Sequence, residues 1–387
     1  MYRLVIICAL LLFGMFFGAG NLIFSLKIGQ ATEGNWLQGF FGLIASDVIL
    51  SFLGLFFVLK RHNGNSSSFF GEAGTLAGTV VPFLALSLLG PFGVTPRCIT
   101  VAYGGISCLF PDMPLALFSA IFCTASYFIG INGERVINVI GKLMTPILLG
   151  TLIILSVLGA IHSAEPNVTL SPVESFGEGF ITGYQTMDLL LAFFSAAMIF
   201  SQLREILPAQ TSDADIQKIA IKSSLLASVL LAIIYFCMVF LGSHFTHLLN
   251  STQPSAILVT ITNHITGSYA ALFVAVIMVF ACFTSAAPLN AMYAKYLTSI
   301  LKSDKCDFKI LLLGSSLISF LISLFDFSGI IKFLSPTLEA LYPGIVALTI
   351  ASIFSPKHYL LKKILFYGVL AAVLLHKAMK LYALPLL

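Results

Sequence analysis

The sequence predicts an all-α membrane protein: a single transmembrane domain of about eleven helices, arranged as two inverted repeats of five with a broken first and a broken sixth helix. Three observations predict it. The 387 residues are 58% hydrophobic and only 9% charged, with mean hydropathy +1.02, whereas a soluble domain carries about 25% charged residues. So much apolar surface cannot be hidden from water in a folded core. The basic residues alternate between the two ends of successive apolar segments. Two of those segments are interrupted midway by small and polar residues at matching positions.

The apolar segments run over 4–31, 35–60, 74–109, 113–131, 136–162, 175–202, 214–248, 266–300, 308–325, 329–354 and 359–381. Each approaches the length that about 30 Å of hydrocarbon requires. The third is too long for a straight span, and Gly90, Pro91, Gly93 and Pro96 predict a bend or break in it. No polar stretch is long enough for a separate soluble domain. Of the twenty Lys and Arg, fifteen fall on one side, among them Arg3, Arg61, Arg135, Lys218, Lys295 and Lys363. Four fall on the other (Lys27, Lys332, Lys377 and Lys380), and Arg97 lies within a span. This bias places the N-terminus in the cytoplasm and the C-terminus outside. A net charge of +4 does not mark a nucleic-acid binder. The seven cysteines are scattered without a C-x-x-C pair, so they read as small buried hydrophobes.

Arg3, an apolar run and then Gly18-Ala19-Gly20 imitate a signal peptide. Leu22, Ile23 and Phe24 continue the apolar pattern past the supposed cleavage site, which favours a helix broken inside the membrane. If a repeat holds five helices, an odd number, the second copy enters the membrane from the opposite side. The repeats are then 4–162 and 175–354, with 359–381 as an extra helix. The sixth helix should carry its own interruption about a dozen residues in, where FITGYQTMDLL supplies Gly183, Gln185, Thr186 and Asp188. Paired interruptions of this kind point to a binding site at the bilayer midplane.

Unwinding a helix in hydrocarbon frees N–H and C=O groups, which are tolerated only where they line a cavity or bind something. A half-helix N-terminus at Gly20–Asn21 suits a carboxylate. The carbonyls of the half-helix ending near Met15–Gly18 suit Na⁺ or an ammonium. An amino-acid zwitterion needs both; a kink made for packing is the simpler alternative. The eighth segment adds ACFTSAAPL, where Thr284 and Ser285 sit beside small residues. Such hydroxyls suit a hard cation, although they also bond their own helix carbonyls.

With FFGAGNLIF, PFGVTPR, IGKLMTPILL, GYQTMD, ACFTSA and LSPTLEALYPGIVAL in this order, the chain resembles the bacterial branched-chain amino acid:cation symporter family of the amino acid–polyamine–organocation group, over about residues 5–355. The resemblance implies a five-plus-five fold similar to that of the bacterial leucine transporter. It implies import of leucine, isoleucine and valine across the bacterial inner membrane, driven by Na⁺ or H⁺; an intramembrane enzyme would need a nucleophile or a metal set such as paired His and carboxylates at helical spacing, and the sequence offers no convincing one. It implies backbone carbonyls of Gly14, Phe17 and Ala281, with the Thr284 and Ser285 hydroxyls, around a Na⁺. Phe16, Ala19, Gly20 and Asn21 would surround the substrate backbone, and Tyr184, Gln185 and Thr186 would face it. Family members usually have twelve spans, and this chain stops at LYALPLL, before a twelfth.

Arg97 within a span is expensive, at about 2.5 kcal/mol or more, and is expected to have a partner: Asp47, Asp188 or Glu339. Arg97, Asp188 and Glu339 are therefore coupling or gating candidates, and Asp188 could carry a coupled proton. His244 and His247 read as loop-edge histidines. A channel would be expected to show charge rings or repeated filter carbonyls; a non-transporting amino-acid sensor on the same fold remains an alternative. The oligomeric state is not legible.

Overall fold

The computed structural model describes residues 2–249, 257–301, 307–325, 327–355 and 358–383. The first apolar segment is two helices, α1 (Tyr2–Phe16) and α2 (Ala19–Thr32). The second is α3 (Trp36–Leu43), a π-helical stretch (Ile44–Ile49) and α4 (Leu50–His62). A short α5 (Ser66–Gly71) leads to α6 (Thr75–Leu89), α7 (Val94–Ser107) and α8 (Leu115–Gly130). One turn, α9 (Gly133–Arg135), precedes a second π-helical stretch (Val136–Met144) and α10 (Thr145–Ile161). The second half comprises α11 (Pro172–Tyr184), α12 (Asp188–Ile206), α13 (Asp213–His244), α14 (Ile257–Thr266), α15 (Ala270–Leu301), α16 (Phe308–Ser323), α17 (Phe327–Phe354) and α18 (Tyr359–Ala383). There is no strand among the described residues. Helix occupies every predicted segment, and seven helical runs among the described residues are long and apolar enough by themselves to cross a membrane.

The boundaries follow local chemistry. The predicted interruption of the third segment falls at Gly90–Gly93, between α6 and α7. Pro96 then sits in the first turn of α7, where its missing N–H costs nothing. Ser171 and Glu174 form a reciprocal capping box at the start of α11. Ser212 caps α13 through the Asp215 N–H.

Helix ends collect at two rims. Gln217 bonds Asn63 at 2.6 Å, Lys295 pairs with Glu205 at 3.6 Å and the Tyr296 hydroxyl reaches the Thr79 carbonyl. These contacts gather the ends of α4, α12 and α15 with the starts of α6 and α13 on one side, called here the basic side. On the other, the Gly34 N–H donates to Asn167 O, Asn35 to Leu170 O and Gln30 to Leu249 O. Two helix pairs approach backbone to backbone. Gly29 of α2 lies against the Val239 carbonyl, and Gly242 of α13 against the Leu26 carbonyl. Gly179 of α11 lies in the same way against the Gly39 carbonyl of α3. In a five-plus-five repeat these two pairs, first helix with seventh and sixth with second, correspond.

At the basic side, Glu72 joins three elements. Its carboxylate accepts from Lys362 of α18 at 2.7 Å and from Ser352 of α17 at 2.8 Å, and His62 Nε2 lies 3.3 Å away. Lys362 is fully buried. Burial alone would raise the Glu72 carboxyl; the His62, Lys362 and Ser352 side chains outweigh it and hold it down at about 2.

Candidate functional site

Both interrupted helices break where the sequence predicts. After Phe16 the chain leaves the helix, Gly18 is extended (φ −102°, ψ −166°) and α2 starts at Ala19, one residue ahead of the predicted N-terminus. The Gly18 N–H turns to the Phe16 carbonyl at 2.8 Å. The Gly14 carbonyl, its partner in an unbroken helix, is released. In the sixth segment α11 ends at Tyr184 and α12 starts at Asp188. Met187 between them has φ +69°, a left-handed backbone that costs a non-glycine residue about 1–2 kcal/mol.

The breaks meet. Asn21 Nδ2 in the first turn of α2 donates to Asp188 Oδ2 at 2.6 Å and to the Tyr235 hydroxyl of α13 at 2.6 Å. The Thr186 hydroxyl lies against Asp47 Oδ1 from the π-helical stretch and against the Gly183 carbonyl at 2.7 Å. Asn21, Asp47, Thr186, Asp188 and Tyr235 are all buried. A cavity of about 20 Å³ lies between the breaks, lined by Phe16, Gly20, Asn21, Thr186, Asp188 and Ser285, with Arg97 on its wall. That is room for one water molecule, against the hundreds of Å³ of an ordinary ligand pocket.

Not every predicted residue reaches this cavity. Gln185 is exposed, and Tyr184 instead packs edge-on against Tyr342, ring centroids 4.4 Å apart. A turn that puts Thr186 and Asp188 inward points Gln185 outward. Phe17 is buried with its ring 6.1 Å from that of Tyr235. The side chains of Ala19 and Glu339 lie outside the described residues. Arg97 makes no ion pair with Asp47 or Asp188, neither of which stands within 4 Å of its guanidinium; the third expected partner, Glu339, lies outside the described side chains. His244 is structural, its ring stacked on Phe240 at 3.8 Å and edge-on to Trp36.

The oxygen set around Gly14 does assemble. Ser285 Oγ donates to the Gly14 carbonyl at 3.0 Å and approaches that of Ala281 at 3.3 Å, and Thr284 Oγ1 reaches Ala281 O at 3.1 Å. Pro288 within α15 has no N–H, so the Thr284 carbonyl loses its helix donor. Thr145 was not among the predicted ligands. Its Oγ1 is buried without a partner, and a Cβ on Gly14 would stand 2.5 Å from it and 3.1 Å from Thr284. The Met-Thr-Pro start of α10 was its one sequence signal. Neutral hydroxyl and carbonyl oxygens, one of them orphaned, fit a hard monovalent cation.

A second cavity, about 710 Å³, opens on the basic side between exposed Glu205 and Lys295. Leu86, Phe194 and Met292 line it, while Leu89, Leu191 and Leu289 line the small one. On each of α6, α12 and α15 a single helical turn separates the two.

The family model described as "Branched-chain amino acid transport protein" matches residues 2–385. The chain belongs to that family. It is 26% identical over 357 residues to "Branched-chain amino acid permease BraB" of Bacillus subtilis, covering 90% of this chain and 79% of the relative. To "Branched-chain amino acid permease BrnQ" of Escherichia coli it is 27% identical over 358 residues, 90% of this chain and 80% of the relative. Among solved structures it resembles Mhp1, described as a nucleobase-cation-symport-1 family transporter, in a closed conformation with bromovinylhydantoin bound. The TM-score is 0.59 at 15% identity, covering 98% of this chain and 92% of that one. The branched-chain amino acid transport family member thus has a leucine-transporter-like fold, with helices broken at its first and sixth segments, and is a transport protein rather than an enzyme.

Proposed function

We propose that the protein is a secondary active importer of leucine, isoleucine and valine in the bacterial inner membrane, coupled to Na⁺ and working by alternating access, with H⁺ as the alternative coupling ion. One observation carries the reading: the breaks of the first and sixth helices meet at one buried cavity, where Asn21 of one is bonded to Asp188 of the other. Free helix ends of both polarities at one point suit a zwitterion. Na⁺ would be held by the Gly14 and Ala281 carbonyls and the Thr284, Ser285 and Thr145 hydroxyls. It would supply a positive charge that draws the loaded carrier inward, and a potential of 100 mV contributes about 2.3 kcal/mol per charge, roughly fiftyfold accumulation.

The repeats are residues 4–162 and 175–354, the N-terminus is cytoplasmic and the basic side faces the cytoplasm. A large cavity on that side, stopped one helical turn short of a nearly closed centre, supports a carrier at rest after inward release. Exposed apolar side chains such as Ile121, Phe128, Leu313 and Leu317 suit a lipid boundary.

Radiolabelled leucine uptake into proteoliposomes of the purified chain tests the reading, with an inward Na⁺ gradient compared with an inward H⁺ gradient. Accumulation above equilibrium with Na⁺ alone is the expected result. Accumulation with H⁺ alone moves the coupling to Asp188 and Asp47. Absence of uptake under either gradient, where a control carrier works, rejects the transport reading.

A further inference from the structure

A guanidinium buried in mid-membrane is stable only with an anion or with oxygen acceptors around it. Among the described residues Arg97 stands in that position without one. It is 5% exposed, its Nε is buried with no hydrogen-bond partner, and no carboxylate lies within 4 Å of it among the described residues. The Gly90–Gly93 break puts Arg97 in the first turn of α7 and on the wall of the small cavity. A Cβ on Gly20 would stand 2.7 Å from Arg97 Nη2, so the bare α-carbon of Gly20 is what admits the guanidinium to the first turn of α2. That turn is the positive end of a fourteen-residue helix, with Gly18 offering no side-chain cap. Asp188, held by Asn21, lines the same cavity, yet none of its oxygens lies within 4 Å of a guanidinium nitrogen of Arg97. The cavity therefore holds a fixed cation beside a helix N-terminus and a fixed carboxylate, without the two neutralising each other by contact.

We infer that Arg97 and the first turn of α2 bind the α-carboxylate of an amino-acid substrate, and that Asp188 receives its α-ammonium. The inference rests on the transport reading above and names a residue that recognises the ligand. The ligand class is a zwitterionic α-amino acid with an apolar side chain, which Phe16, Leu89, Leu191 and Leu289 would surround once the cavity opens. A guanidinium offers a carboxylate two parallel N–H donors, so a ligand whose carboxylate is replaced by a neutral amide loses most of this contact.

The test is equilibrium binding of tritiated leucine to the purified full chain, with competition by leucine, leucinamide and 4-methylpentanoate. The wild-type protein is expected to bind leucinamide, which keeps the ammonium, at least about thirtyfold more weakly than leucine (~2 kcal/mol). Arg97→Gln should weaken leucine by a similar factor and leave leucinamide where it was, and Arg97→Lys should recover part of the difference. An Arg97 that only held the fold would weaken both ligands together, and that result overturns the inference. So does wild-type protein that binds leucinamide as well as leucine, a comparison that needs no variant to fold. Wild-type protein that binds leucine with unchanged discrimination in Arg97→Gln overturns this inference alone; wild-type protein that ignores leucine overturns the transport reading with it.

Discussion

The Asn21 side-chain amide donates to the Asp188 carboxylate over 2.6 Å, spanning 167 residues of sequence. Its second contact, to the Tyr235 hydroxyl, ties α13 to the same point. Asn21→Ala removes a donor to two buried oxygens at once. It is expected to cost about 1–3 kcal/mol of stability and to reduce leucine uptake at least tenfold. Thermal melting of the purified protein and proteoliposome uptake check the two effects separately; an unchanged uptake rate would remove Asn21 from the site.

Thr145 gives a cleaner test of the cation set. Its hydroxyl is buried and unpartnered, so Thr145→Val, which keeps the shape, should leave the melting temperature in Na⁺-free buffer unchanged or slightly raised. If the hydroxyl is a ligand, half-saturation of leucine uptake by Na⁺ should move up by about tenfold, equivalent to ~1.4 kcal/mol. Thr284→Ala should do the same, with a stability loss, because Thr284 also bonds Phe280 O and Ala281 O.

The Glu72 cluster predicts an acid limit to stability. A carboxyl held at about 2 in the folded protein, below its ordinary 4.5, contributes stability that is complete above pH 4.5 and is lost as pH falls toward 2. Melting temperature should therefore drop across that interval in the wild-type protein and drop less in Glu72→Gln. Lys362→Met leaves a buried carboxylate without its ammonium and is expected to cost about 3–5 kcal/mol at neutral pH.

Glycine positions divide by what surrounds them. Gly242→Leu drives a side chain into the Leu26 carbonyl and should abolish folding of the α2–α13 pair, read as loss of monodisperse protein on gel filtration. Gly314→Ala meets nothing within 4 Å in the interior of α16 and should be neutral or stabilising by up to ~1 kcal/mol.

The breaks were legible because glycine clusters with proline or polar residues inside apolar runs at Gly18–Asn21, Gly90–Gly93 and Gly183–Asp188, whereas the glycines that serve close packing, such as Gly29 and Gly242, stand singly. The π-helical stretch over Ile44–Ile49 was not. IASDVI scans as ordinary helix, and only the structure turns Asp47 toward Thr186. Tyr235 was equally silent, a tyrosine in an apolar run whose partner lies 214 residues away. Gln185 was misplaced for a local reason: polarity marks the break, but the left-handed turn at Met187 decides which of its residues face inward. Arg97 was conspicuous as a charge, and its separation from Asp47 and Asp188 could emerge only from the packed helices around it.

The contact between Glu72 and Lys362 carries a consequence for biosynthesis. The two residues lie 290 positions apart, and α18 is otherwise one of the more exposed helices of the bundle. While the ribosome is still making the chain, Glu72 has entered the protein and its ammonium has not. A nascent chain halted after α17 therefore carries that acid without its ammonium, held by His62 and Ser352 alone, and quality-control proteases should clear it faster than the finished chain.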